Sequence, residues 1–389
     1  MPFTRRDCPI QATWRSRTLI RIFLFLSLIV FVTPASWGAD LVTVRSETAG
    51  LPATVSGAVI LEDPQGGVLL LDRGGRYWSL PADQIREKTT AGETFGPLTG
   101  EKLGEELRRE LGSSFEVVRT EHYVLCTDAG RKFAEWTGRL LERLYVGFEE
   151  EWTKAGVELA EAPFPLPVIL FAREADYREY ARRDVGSVPV DMGYYSSLTN
   201  RVALRDLTPA SNRNPDSDLS KIVSPANVTT LVHEATHQLA FNRGLHVRLA
   251  DNPMWLTEGV AMYFESPDLR NSSGWKTTGN VNRTRIQRFR DYARNRRRRD
   301  SLETLVRAND RFAKPDTAAD AYAEGWLLVH FLRHKHPEEY VAFLKTLATK
   351  QPLDIGTDED RLAAFRTAFG GDLSKLDKEL QAYASRLAR

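Results

Sequence analysis

Three residues within five positions have the types and spacing for metal-assisted proton transfer: His233, Glu234 and His237, in TTLVHEATHQLA (229–240). Two imidazoles four residues apart on a helix project within about 40° of each other and sit roughly 6 Å apart along the axis. They therefore face one way and can share an ion. Glu234 lies one residue round. It cannot join their ligand geometry, but it can reach a metal-activated water and take its proton. The same five letters also fit an amphipathic helix with two surface histidines, so the neighbouring chain has to discriminate.

A third ligand is the discriminating feature. One known extension of this motif requires Gly at 240 and His at 243; the chain has Ala240 and Arg243, which excludes it. His246 is displaced by three residues and is expected past the helix end. The sequence DNPMWLTEGVAMYFESP offers Glu258 instead, 21 residues beyond His237. Asn252 is expected to cap this second helix, Pro253 to occupy its first turn, and Ser266-Pro267 to end it. Helix, turn and returning helix fit the interval. A His233–His237–Glu258 set leaves a fourth position for water, the catalytic rather than the closed structural arrangement. Nitrogen and oxygen donors in a cysteine-poor chain suit one Zn2+ better than a soft metal. Glu265, seven residues after Glu258, lies on the same helix face. It either orients a zinc histidine or is helix-end charge.

The elements that must position these residues are legible in outline. Ser224 and Pro225 start the motif helix and Gly244 suits its end. Residues 131–156 carry apolar residues at helical spacing, PLPVILFA (165–172) reads as a buried strand, and a charged helix follows over 174–183. MGYYSSLTNRVALRD (192–206) reads as a hairpin turning near Thr199-Asn200. From 225 onward the pattern is mainly helical. Strands followed by helices predict an α+β fold for residues 114–389, with a small sheet, two site helices and a mainly helical C-terminal part. Residues 39–100 predict a separate small β module, with turns at Asp63-Pro64-Gln65-Gly66-Gly67 and Gly74-Gly75, joined to the rest by the helix-prone stretch 100–111.

The first 38 residues predict a cleaved signal peptide: basic residues, the apolar run LIRIFLFLSLIVFV, then small residues at Ser36 and Gly38. The run is short and interrupted by Arg21, so no stable membrane anchor is expected, and the mature protein is expected to be secreted or periplasmic. Removing residues 1–38 takes Lys+Arg from 53 to 48 and Asp+Glu from 52 to 51, a net charge near −3. That balance excludes a whole-protein nucleic-acid role. Cys126 then stands alone and is expected in the core. Residues 283–299 hold nine arginines. They form either a patch for an anionic ligand or a solvated helix face.

Taken together, HEATH, WLTEG with the following AMYFE, and YAEG at 322–325 resemble the gluzincin metallopeptidases, the group that includes thermolysin and the membrane-alanyl-type aminopeptidases. The layout as a whole is similar to the peptidase-MA-like domain of unknown function 1570. The resemblance covers residues 115–345 and implies a zincin-like fold and zinc-dependent hydrolysis of peptide bonds. It implies metal ligands His233, His237 and Glu258, and Glu234 as the base. Tyr322 would be the phenol that stabilises the tetrahedral intermediate, with a core tyrosine as the alternative. The strand holding Tyr194 and Tyr195 would be the sheet edge that pairs with an extended substrate, with core tyrosines as the alternative. Two departures stand out. MGYY occupies the place of the amine-anchoring Gly-x-Met-Glu-Asn segment, which points to endopeptidase-like cleavage, and Met262 replaces the acidic partner four residues after the ligand glutamate in thermolysin-type enzymes. Two other readings compete: a non-catalytic zinc-stabilised module binding an envelope polymer, and a zinc amidase acting on cell-wall peptides.

Overall fold

The structure, a computed structural model, describes residues 40–46, 53–186, 192–207, 223–265, 275 and 278–387. The signal-peptide expectation, and Ser266-Pro267 as a helix stop, lie outside these residues.

The N-terminal module is a five-stranded antiparallel sheet: β1 (Asp40–Ser46), β2 (Thr54–Glu62), β3 (Val68–Asp72), β4 (Tyr77–Leu80) and β5 (Ile85–Thr94), in spatial order β4-β3-β2-β1-β5. Alternation along the strands gives it two apolar faces. Val44, Val55, Leu70, Trp78 and Leu80 pack among themselves on one. Leu69, Leu71 and Tyr77 on the other pack with Phe164 and Leu249 from the rest of the chain. The module is thus docked by an apolar face, not strung on a linker.

A second five-stranded sheet follows, built from β6 (Glu116–Arg119), β7 (Tyr123–Thr127), β8 (Leu166–Phe171), β9 (Gly193–Ser196) and β10 (Arg201–Arg205). Its order is β6-β7-β8-β10-β9, with β7, β8 and β10 parallel and both outer strands antiparallel to their neighbours. Strands β7 and β8 are buried throughout, as expected of parallel strands covered on both faces. Helices α1 (Gly100–Leu111) and α3 (Glu174–Val185) cover one face through Leu107, Tyr177 and Tyr180. Helices α2 (Arg131–Lys154) and α4 (Pro225–Asn242) cover the other. The helix-prone stretch 100–111 therefore packs on this sheet, and Cys126 is buried there.

The remainder is helical: α5 (Met254–Phe264), α6 (Arg283–Asn295), α7 (Ser301–Arg307), α8 (Asp310–Ala313), α9 (Ala318–Lys335), α10 (Pro337–Ala348), α11 (Asp358–Phe369) and α12 (Leu373–Leu387). Helix α9 is apolar nearly all round and buried at every position from Asp320 to Leu332, so it forms the axis of this half. Its one fully buried carboxylate, Glu324, accepts from Arg297 Nε (2.9 Å), Arg311 Nη2 (2.8 Å) and Ser301 Oγ (2.8 Å). Other arginines of 283–299 are paired as well, but with their side chains exposed at the surface. Arg288 and Arg296 meet Asp320 at 2.5 and 3.1 Å, and Arg298 meets Asp300 at 3.0 Å. Among the described residues, no helix is long and apolar enough to cross a membrane.

Candidate metal centre

Helix α4 begins where Ser224 and Pro225 predict: the Ser224 hydroxyl accepts from Ala226 N (3.3 Å) and Pro225 fills the first turn. The helix is buried from Thr230 to Asn242, between the sheet and α5. Helix α5 starts at Met254, one residue later than expected, so Pro253 stands at the cap position rather than in the first turn. Asn252 does not cap it. Its side-chain amide is drawn to Val247 O (2.8 Å) and Ala250 O (3.0 Å) in the connecting loop. The first α5 amide, Met254 N, is met instead by Asn309 Oδ1 at 3.0 Å, a cap supplied from 55 residues away.

The two helices bring His233, His237 and Glu258 together, all buried, with one ligand atom of each within 4.8 Å of the others. His233 Nε2 lies 3.1 Å from His237 Nε2 and 3.1 Å from Glu258 Oε2; His237 Nε2 lies 3.6 Å from Glu258 Oε1. Glu258 Oε1 is buried without a hydrogen-bond donor. Such an oxygen carries a desolvation penalty of about 1–3 kcal/mol, more when charged, unless something positive meets it. Two imidazole nitrogens and a carboxylate converging on one point fit a single divalent ion of the zinc type. Burial alone would raise the Glu258 carboxyl, yet His237 and His233 hold it down to about 2. Burial alone would likewise depress the His233 imidazole, but Glu258 and Glu265 outweigh it and raise His233 to about 10. The centre is thus built to hold positive charge at that position, as a proton or as an ion.

Glu265 sits behind His233. Its Oε1 is 2.9 Å from His233 Nδ1, which fixes the tautomer that leaves Nε2 facing the centre. Glu265 is gripped in turn by Asn282 Nδ2 (3.3 Å) and Arg285 Nη2 (3.3 Å) at the start of α6. Neither residue is suggested by the sequence, where Arg285 is one of nine arginines. The only local signal is Asn282, which caps α6 by accepting from Arg285 N at 3.1 Å. The Arg285 guanidinium lies 5.8 Å from the Tyr322 ring centre, and that ring meets Phe312 edge-on at 5.2 Å. Tyr322 is therefore joined to His233 through Arg285 and Glu265.

Glu234 is buried against strand β9, where its Oε2 accepts from Tyr195 N at 2.9 Å. Burial raises its carboxyl above the ordinary range, against the pull of His233 and His237. A carboxylate in that state accepts a proton more readily at neutral pH. Strand β9 is an edge strand. Both tyrosine side chains on it are buried, with Tyr194 Oη donating to Asp184 Oδ2 (2.8 Å) and Tyr195 Oη to Asn200 Oδ1 (2.9 Å). What the strand offers the centre is backbone. His246 is buried near His237 with no hydrogen-bond partner on either ring nitrogen, and burial lowers it to about 3. It is not part of the ligand group. His330 is also buried, between Gly279 O (3.0 Å) and Tyr383 Oη (2.8 Å).

A protein family of unknown function matches here. The family, described as protein of unknown function (DUF1570), matches residues 227–354, about a third of the chain. The match runs from the first turn of α4 past α10. It therefore includes His233, Glu234, His237, Glu258, Glu265 and Tyr322, and leaves out both sheets. It agrees with the likeness to that family seen in the sequence, and it carries no activity with it. No curated protein matches the chain.

Proposed function

We propose that the protein is an exported zinc-dependent peptidase of the gluzincin kind, endopeptidase-like, and that its sheet and two site helices form a zincin-like core. The observation that supports this most directly is the buried convergence of His233, His237 and Glu258 on one point with Glu234 beside it. His233, His237 and Glu258 would hold the zinc. When bound, zinc supplies Lewis acidity that polarises the scissile carbonyl and makes water easier to deprotonate. Glu234 takes the proton from the attacking water and passes it to the leaving amine. Tyr322 donates to the developing oxyanion. Glu265 keeps the His233 ring in register through Nδ1.

A peptide or protein is the substrate in this reading, and the basic and apolar signature of residues 1–38 supports a secreted or periplasmic setting. A purely structural zinc site has no use for a buried carboxylate next to its ligands, which favours hydrolysis over the binding-module reading. The test is Glu234→Gln. Zinc per chain, measured by mass spectrometry of the purified protein, is expected to equal wild type, while chelator-sensitive cleavage of a peptide library falls by roughly 10²–10⁴-fold. Cleavage at the wild-type rate in that variant would refute the mechanism.

A further inference from the structure

We infer that the N-terminal β module is a positioning element of the metal centre, acting through Arg248. Arg248 lies in the loop between α4 and α5 and is buried. Its guanidinium binds three backbone carbonyls: Ser197 O through Nε (2.8 Å), Leu198 O through Nη2 (3.1 Å) and Gly75 O through Nη1 (2.8 Å). Gly75 belongs to the module; Ser197 and Leu198 belong to the turn that follows edge strand β9. The Arg248 guanidinium also covers the Tyr77 ring at 4.4 Å, and Tyr77 N donates to Leu198 O at 2.8 Å. A planar, always-charged fork with five donors is suited to locking several carbonyls in one arrangement.

The other end of that turn is fixed to the helix carrying the histidines. Asn200, in the left-handed region at φ 61°, exchanges side-chain hydrogen bonds with Asn242 at 2.7 and 2.9 Å, and its carbonyl accepts from Gln238 Nε2 at 2.9 Å. Gln238 is the residue after His237. The module reaches this point too, since a Cβ on Gly75 would stand 3.2 Å from Asn200 Nδ2. Turn 197–200 is therefore held between module and site helix, and the strand it terminates presents Tyr195 N to Glu234. An edge strand with hydrogen-bonded strand pairing on one side only is the least constrained member of a sheet. Here the second constraint comes from the module. Docking of the module sets where β9 lies, and β9 sets where the Glu234 carboxylate points.

The catalytic half of the test rests on the peptidase reading; the exchange half does not. The full-length chain is compared with Arg248→Ala and Arg248→Lys. Zinc per chain is expected to stay at the wild-type value in both. In Arg248→Ala, amide hydrogen exchange over 193–196 is expected to accelerate about tenfold or more while 230–242 stays protected, the local opening expected when a buried hydrogen-bonded fork is lost. Peptide cleavage is expected to lose about tenfold in kcat with KM changed less than about threefold, because the base and not the zinc is misplaced; Arg248→Lys restores part of both. Unchanged exchange at 193–196 overturns the inference whether or not the protein cleaves peptides. Absence of cleavage by wild type, with exchange accelerated in Arg248→Ala, removes the peptidase reading and leaves the coupling standing. Should Arg248→Ala not fold, Tyr77→Leu, which withdraws the ring under the guanidinium from the module side, is read by the same exchange measurement, and there too unchanged exchange overturns the inference.

Discussion

Among the described residues, two groups of histidine and glutamate are close enough to hold a metal: His233–His237–Glu258 and Glu121–His122–Glu142. They have similar chemistry and opposite surroundings. The second lies at the surface, where helix α2 meets the turn between β6 and β7, and its Glu142 is fully engaged. Oε1 accepts from His122 N (2.8 Å) and Thr120 Oγ1 (2.5 Å), Oε2 meets His122 Nδ1 (2.7 Å), and the imidazole stacks on Tyr145 at 3.7 Å. The first is buried and leaves Glu258 Oε1 without a donor. Proximity of ligand types is easily reached in a folded chain. A buried, unbalanced acceptor is not, because folding has to overcome its desolvation. The difference between the groups is therefore what each lacks, not which residues it contains.

The sharpest way to break the comparison is Glu258→Ala. Removing one member of a buried charged group is expected to weaken the centre by about 3–5 kcal/mol, and metal content should fall far below one per chain; undiminished zinc would exclude Glu258 as a ligand. Acid titration is next. Burial holds His246 at about 3 and His330 at about 4, whereas an unfolded histidine titrates near about 6.5. Both folded values are depressed, so the unfolded chain gains protons first, and stability is expected to drop by a few kcal/mol as pH falls from about 6.5 to about 4. A flat urea-unfolding midpoint across that window would contradict the neutral, buried state of these two side chains. Glu265→Gln is expected to reduce zinc affinity about 10–100-fold, with stoichiometry kept, by loosening the His233 ring; competition with a chromogenic chelator measures it. The smallest effect is expected at the surface group. His122→Ala should leave zinc per chain unchanged and alter stability by no more than about 1 kcal/mol, and a second equivalent of zinc that disappears in this variant would erase the contrast drawn above.

Local pattern carried a good part of this molecule. The α4 start at Ser224-Pro225 and the hairpin around Asn200 are written in short-range chemistry, and the His233–His237 spacing follows from helix geometry alone. Glu258 was reachable because its helix follows directly. The failures have a common physical cause, which is distance along the chain. Asn252 has the type of a cap but is claimed by its own loop, and the true cap, Asn309, arrives from 55 residues away. Arg285 is indistinguishable in sequence from its eight neighbouring arginines until α6 is laid beside Glu265. The docking of the β module through Arg248 depends on backbone carbonyls, which leave no mark in the residue types on either side.

Helices α5 and α9 cross where Gly259 faces Gly325. A Cβ on Gly259 would fall 2.8 Å from Gly325 O and 2.4 Å from Val329 Cγ2, and one on Gly325 would fall 3.3 Å from Trp255 O. Gly259 immediately follows Glu258, and Gly325 lies three residues after Tyr322. The missing side chains act as a gauge block between Glu258 and Tyr322: a spacer of bare hydrogens, whose replacement by any other amino acid would recalibrate the gap without touching either residue.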